Sequence, residues 1–294
     1  MADVRAEEPR PEPVTEQVDG PAGEGPAQGP SGREPGRRSG PEPDLEEAGL
    51  RLDLDGPVAT VTLNRPERRN AMTFATWRGL AAIGRGLPAD VRVVVLRGAG
   101  PSFSAGIDLG MFSGGGEGFS DGSDPAATDR FIAELQEGYT WLRRPDIVTI
   151  AAVHGHAIGG GFQLALACDM RVIADDTKFC MKESALGLVP DLTGTKPLVE
   201  AVGLARALEL CLTARTVGAE EAARLGLAEI VVPREGLDEA VRGLTQSLLA
   251  VNAGAAVATK RLLLQAPNNT LEEQCAAERH EQTGRLREMF GARS

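Results

Sequence analysis

The stretch Val153-His154-Gly155-His156-Ala157-Ile158-Gly159-Gly160-Gly161-Phe162-Gln163 decides the fold. It reads as the end of a strand, a turn and the start of a helix. The first turn of a helix carries unpaired N–H groups and the positive end of the macrodipole. Consecutive glycines let a ligand oxygen approach that backbone with no side chain in the way. The run therefore suits an anion or a developing oxyanion. Taken alone, it is equally compatible with a purely steric turn. It has neither the Lys-Ser/Thr pair of a phosphate loop nor the full spacing of a dinucleotide fingerprint.

Working upstream, Ile147 to Val153 is an apolar, β-branched run that reads as a buried strand. A helix is expected from about Ala126 to Leu142, ending before Pro145 because the residue preceding proline disfavours helix. Val91 to Leu96 is another buried strand, and a helix is expected over roughly Thr73 to Arg85. Before it, Leu50–Leu54 and Val58–Leu63 alternate apolar and polar residues around Asp55-Gly56, a hairpin signal. Downstream, strands are expected at Met170–Ala174 and Lys178–Met181. Beyond Pro197 the pattern is helical apart from a short strand at Ile230–Val232. These units predict an α/β body over 48–234 and a helical region over 235–294. The Gly/Ser-rich segment from Gly110 to Asp124, with Gly114–Gly116, reads as a mobile surface loop.

Residues 1–47 hold nine of the 19 prolines, 12 acidic and 5 basic residues, and no aromatic. Such a segment cannot bury enough apolar surface to offset its ordering entropy, so a disordered tail is expected. The whole chain carries a formal charge of -11, which argues against a non-specific nucleic-acid binder. Most of that excess sits in the tail, so the body can still hold a basic pocket for an anionic ligand. Cys168, Cys180, Cys211 and Cys275 are widely spaced and read as reduced thiols. His154 and His156 form an HxH with no third ligand in view, so no metal site is expected. No secretory h-region and no apolar run of about 18 residues is present, so the cytoplasm is the expected location and no membrane contact is expected.

Four segments in register sharpen the reading: LNRPERRNAM (63–72), FSAGIDL (103–109), HGHAIGGGFQLALACDMRVIAD (154–175) and FCMKESALGLVPD (179–191). Together they resemble the crotonase superfamily, also called the enoyl-CoA hydratase/isomerase family, over about residues 48–294. The resemblance implies a ClpP/crotonase-like spiral of strand-strand-helix units with a C-terminal helical oligomerisation region. It also implies an acyl-CoA substrate, a thioester enolate, and homotrimers or dimers of trimers. No bound cofactor follows from it, since coenzyme A belongs to the substrate.

By the same resemblance, the backbone N–H groups of Ile107 and Gly160 form the oxyanion hole. Backbone around Ala105, Asp108 and Leu109 is implied in coenzyme A binding. Arg65, Arg68, Arg69, Lys260 and Arg261 are candidate contacts for its phosphates, each alternatively an ordinary solvated charge. Two-glutamate hydratases resemble this chain at Glu183, but their other glutamate is Gln163 here. A neutral amide orients water but cannot accept its proton. Gln163 is expected to line the pocket. Asp191 lies eight residues after Glu183, as in dienoyl-CoA isomerases, and is the candidate second carboxylate; the plain alternative is a turn residue after Pro190. Asp169 is expected to cap or to pair with Arg171. Double-bond isomerisation is the leading expectation, with hydration of a 2-enoyl-CoA and silent acyl-CoA binding as alternatives.

Overall fold

The computed structural model describes residues 44–112 and 124–291. The expected tail thus lies outside the described residues up to position 43, as does the loop from 113 to 123, including Gly114–Gly116. Residues 45–49 form a turn, and Leu45 packs against the core, so the fold begins a few residues before position 48.

Strands β1 (Leu50–Asp55) and β2 (Val58–Leu63) form the expected hairpin, Asp55 facing Val58 across Gly56-Pro57. Helix α1 (Phe74–Gly86) starts on Thr73, whose side chain and that of Thr76 form a reciprocal cap. Then follow β3 (Val93–Gly98), α2 (Pro125–Thr140), β4 (Val148–Val153), β5 (His156–Ile158) and α3 (Gly160–Ala167). The order continues with β6 (Met170–Ala174), β7 (Lys178–Cys180), α4 (Thr195–Val202), α5 (Leu204–Thr213) and β8 (Val217–Gly218). It ends with α6 (Ala219–Leu225), β9 (Ile230–Val232), α7 (Leu237–Ala250), α8 (Ala253–Gln265) and α9 (Leu271–Phe290).

Among the described residues the strands form two sheets. The larger runs β1-β2-β3-β4-β6-β9, antiparallel only at β1/β2. The smaller runs β5-β7-β8. Both faces of the parallel strands are covered, which is why Val93–Leu96 is apolar throughout. Val94 and Leu96 face the core that α1 and α2 close with Trp77, Leu80 and Leu135. Val93 and Val95 face the opposite way, with Ile150 and Val172, under Leu237 and Val241 of α7.

Strands β5 and β8 were not expected. At three and two residues they are too short to display a period. In place of one strand and a turn, the chain crosses between the sheets at His154-Gly155. Gly155 sits at φ +56°, where a Cβ would lie 2.2 Å from the Pro101 carbonyl oxygen.

Two expectations for the helical region need correction. Asp169 pairs with Lys260, not with Arg171: its Oδ2 accepts from Lys260 Nζ at 2.7 Å and from Thr149 N at 2.7 Å. Lys260 is buried, and its ammonium also donates to the Ile147 carbonyl at 2.7 Å. It pins α8 to the body and does not reach out to a phosphate. Arg171 instead grips Glu229 and the Leu227 carbonyl. Arg261 is paired with Glu281 of α9. The described residues form one compact unit that includes the C-terminal helices.

Candidate active site

Parallel pairing sets the two expected backbone donors side by side. Ser104 bridges Ala157: Ser104 N donates to His156 O at 2.9 Å, and Ile158 N donates to Ser104 O at 3.0 Å. Three residues further along each segment stand Ile107 and Gly160. On its other side Ile107 bridges Met72, which donates to Gly106 O at 2.7 Å and accepts from Asp108 N at 2.8 Å. Met72 therefore uses the residues flanking Ile107, and the N–H of Ile107 itself points away from it.

Two glycines make this approach possible. Gly106 has φ +87°, and a Cβ there would lie 2.5 Å from the Ile158 carbonyl oxygen and 3.5 Å from Gly160 N. Gly159, at φ +51°, turns the chain into α3, so that Gly160 N–H belongs to the unpaired first turn.

A cavity of about 670 Å³ opens over these groups. Its walls include Ala105, Ile107, Gly160, Glu183, Leu186 and Leu188. Glu183 is 7% exposed. It starts a short 3-10 turn, Glu183–Leu186, directly after β7. Its Oε1 accepts from Gln163 Nε2 at 2.6 Å. Its Oε2 is buried and, among the described residues, has no hydrogen-bond partner. Burial pushes the carboxyl pKa up against its hydrogen bonds, and the nearby Asp191 charge pushes it further.

Gln163 departs from expectation. It is fully buried and does not line the cavity. Its Oε1 accepts from Leu192 N at 2.9 Å and Gly194 N at 3.1 Å, while its Nε2 holds Glu183. The amide is a bracket between Glu183 and the 192–194 turn, seated behind the carboxylate. Asp191 is half-buried, with its pKa raised by desolvation, and its carbonyl accepts from Gln136 at 2.7 Å. Its charge acts on Glu183, but it is not among the residues lining the cavity.

The rim is basic. Arg68, Arg69 and Lys182 line it. Lys182 carries no signal in the sequence beyond its place before Glu183. Arg65, expected as a coenzyme A contact, instead supports the backbone: it donates to Ala71 O at 2.7 Å and to Asp108 at 3.1 Å, and it does not line the cavity. Burial pushes the Asp108 carboxyl up, but donors from Gly110, Arg68 and Arg65 outweigh that and lower its pKa. This ion pair holds the Ala105–Leu109 segment in shape. His154 and His156 join no metal-type cluster among the described residues.

Sequence reasoning passed over Tyr139, Asn70 and Ser104. Asn70 donates to Ala99 O and Ser102 O, both at 2.8 Å, fixing the loop before Ser104. Ser104 Oγ donates to Asn70 O at 2.8 Å and accepts from Gly106 N at 3.1 Å. The quoted NAM and FSAG runs contained Asn70 and Ser104, but nothing in their spacing set them apart.

The enoyl-CoA hydratase/isomerase family model matches residues 54–288. The chain belongs to the enoyl-CoA hydratase/isomerase family. It is an enzyme of that family, with the crotonase fold. A probable enoyl-CoA hydratase of Mycobacterium tuberculosis is 32% identical over 78% of this chain and 86% of its own length. The peroxisomal Delta(3,5)-Delta(2,4)-dienoyl-CoA isomerase of Arabidopsis thaliana is 33% identical over 76% of this chain and 83% of its own. Among solved structures, a putative enoyl-CoA hydratase from Thermobifida fusca YX in complex with acetoacetyl-CoA is 58% identical. It superposes with a TM-score of 0.79 over 84% of this chain and 99% of that one.

Proposed function

We propose that this enzyme moves a double bond in an enoyl- or dienoyl-CoA, with Glu183 carrying the proton. The carrying observation is the buried Gln163–Glu183 bond, which leaves the other carboxylate oxygen of this cavity-wall residue without a partner among the described residues and puts a neutral amide where a second glutamate would act. In this reading the thioester oxygen accepts from Ile107 and Gly160 N–H, and Glu183 takes a proton from carbon. The resulting enolate charge rests on the oxygen, and the proton returns to a carbon further along the chain. Substrate and product have equal mass. The pKa of Glu183, raised by burial, suits a group that must both accept and return a proton. Asp191, whose pKa is also raised, stands off the cavity wall and bears on the reaction through its charge on Glu183.

The chemistry needs only side chains and backbone, with coenzyme A as part of the substrate and its phosphates at Arg68, Arg69 and Lys182. Hydration of a 2-enoyl-CoA is the second reading, favoured by the names of several relatives. It is weakened by the burial of Gln163, which leaves its amide no open face toward a cavity water. A homotrimer or dimer of trimers is part of the proposal. Leu286, Met289 and Phe290, close together at the C-terminal end of α9, are exposed apolar side chains that such an assembly would cover.

Purified protein offered a 2-enoyl-CoA, a 3-enoyl-CoA and a 3,5-dienoyl-CoA distinguishes the readings by mass and chromatography. Isomerisation leaves mass unchanged, and water addition raises it. Hydration of the 2-enoyl substrate alone refutes the isomerase reading. Tight binding without any product refutes both.

A further inference from the structure

Tyr139, the chain's one tyrosine, is fully buried at the end of α2. Its hydroxyl accepts from Trp77 Nε1 of α1 at 2.9 Å and donates to the Gly160 carbonyl of α3 at 3.2 Å. The other acceptor in reach is the Met72 thioether at 3.9 Å, a far weaker one. Because the indole N–H can only donate, it occupies a hydroxyl lone pair and leaves the single phenolic proton directed at Gly160.

That constraint falls on the place that most needs one. Gly159, Gly160 and Gly161 have no side chains to restrict them, and glycine has more backbone freedom to lose than any other residue. The peptide before Gly160, which carries its N–H, is held at Gly159 O by Gln163 N at 2.9 Å; the hydroxyl bonded to Gly160 O fixes the peptide that follows, and the two bonds together set the orientation of the residue. The space beside Gly160 is closed as well: a Cβ there would lie 3.2 Å from Met72 Cε, 3.3 Å from Leu192 Cδ1 and 3.4 Å from the Tyr139 hydroxyl. Desolvation, together with the Asp191 and Glu183 charges, holds the phenol protonated, so it stays a donor through any change in those carboxylates.

We infer that Tyr139, oriented by Trp77, is a positioning residue that aims the Gly160 N–H at the substrate oxygen. This rests on the proposed role of Gly160 as an oxyanion donor. The relay joins α1, α2 and α3 through two hydrogen bonds between residues 62 and 21 positions apart.

The probe is acetoacetyl-CoA, a β-keto thioester whose enolate has a near-ultraviolet band that the neutral form lacks. Its apparent pKa when bound to the full-length protein reads the strength of the oxyanion hole. Wild type is expected to lower that pKa from its value in solution. Tyr139→Phe is expected to raise it again by about one unit and to cut kcat roughly tenfold, with KM within about twofold. Trp77→Phe keeps the hydroxyl but frees its direction, and should move the pKa the same way by less. A purely structural role would lower the melting temperature without moving the enolate pKa. A folded Tyr139→Phe with wild-type enolate pKa and kcat overturns the inference and leaves the oxyanion reading intact. Should Tyr139→Phe fail to fold, an unshifted enolate pKa in Trp77→Phe overturns it equally. A wild type that leaves the probe at its solution pKa overturns the oxyanion reading and this inference together.

Discussion

Gln163→Glu tests why a neutral amide stands behind Glu183. The Oε1 of Gln163 already accepts two backbone N–H groups, so a carboxylate oxygen fits there without rearrangement. The other new oxygen would replace Nε2, 2.6 Å from Glu183 Oε1. Two full charges at that separation repel by about 6 kcal/mol at an effective dielectric of about 20. That corresponds to more than roughly four pKa units, so the pair would hold one proton across neutral pH rather than ionise twice. The free base proposed for the isomerase would then be lost. Expected at pH 7 is at least about a tenfold fall in kcat for the best isomerisation substrate, with the rising limb of the pH–rate profile displaced upward by more than about one unit. Stability follows the same sign. A proton held more tightly in the folded state stabilises fully below the unfolded carboxyl pKa, and that contribution is lost as pH rises through the folded one. The variant should thus melt near wild type in acid and progressively lower as pH rises. A variant with an unmoved pH–rate limb would refute the reasoning, because the two side chains could not then be in the contact described.

Three further predictions follow from other parts of the molecule. Glu183→Gln should abolish isomerisation yet melt increasingly above wild type as pH rises, because the raised carboxyl pKa makes wild type lose stability on ionising, with the two proteins converging in acid; a melting-temperature difference that does not grow with pH would contradict the raised pKa. Lys260→Met should cost about 3 kcal/mol, a drop of roughly 6–12 °C, by leaving Asp169 half-buried and unpaired. Its KM for an acyl-CoA should stay unchanged, and a rise would restore the phosphate role that the structure withdraws. Gly106→Ala should cost about a hundredfold or more in kcat, because a Cβ would press on the Ile158 carbonyl and separate the two donors, whereas Ile107→Ala should stay within about fivefold. Equal losses from both would point to the side chain of Ile107 instead of its backbone.

What the sequence made legible was whatever is local or in register. The hairpin at Asp55-Gly56, the buried run at Val93–Leu96 and the helix start at Gly160 each express one short-range rule: turn chemistry, two-sided burial, an unpaired first turn. The pairing of Ile107 with Gly160 came through the family resemblance, since nothing local joins segments more than 50 residues apart. The misreadings share a different cause. Lys260 looked like a surface cation until Asp169, 91 residues earlier, came to meet it. Gln163 was read as pocket-lining because position alone does not say which side of Glu183 an amide occupies. Tyr139 gave no signal, since a single tyrosine in an amphipathic helix is indistinguishable from ordinary core.

The two bridges at Met72–Ile107 and Ser104–Ala157 have a consequence for how such a protein can change. Each is an isolated contact outside the sheets, and the donors left over at Ile107 and Gly160 are backbone N–H groups, held in place by side chains such as Ser104 and Tyr139 that stand apart from the proton-carrying ones. Point substitutions at Gln163, Glu183 or Asp191 can therefore rewrite where protons travel while the charge-accepting backbone stays as it was. On the proposed reading, affinity for the developing negative charge and choice of reaction are separately heritable, the first carried by chain path and its supports and the second by a few exchangeable side chains.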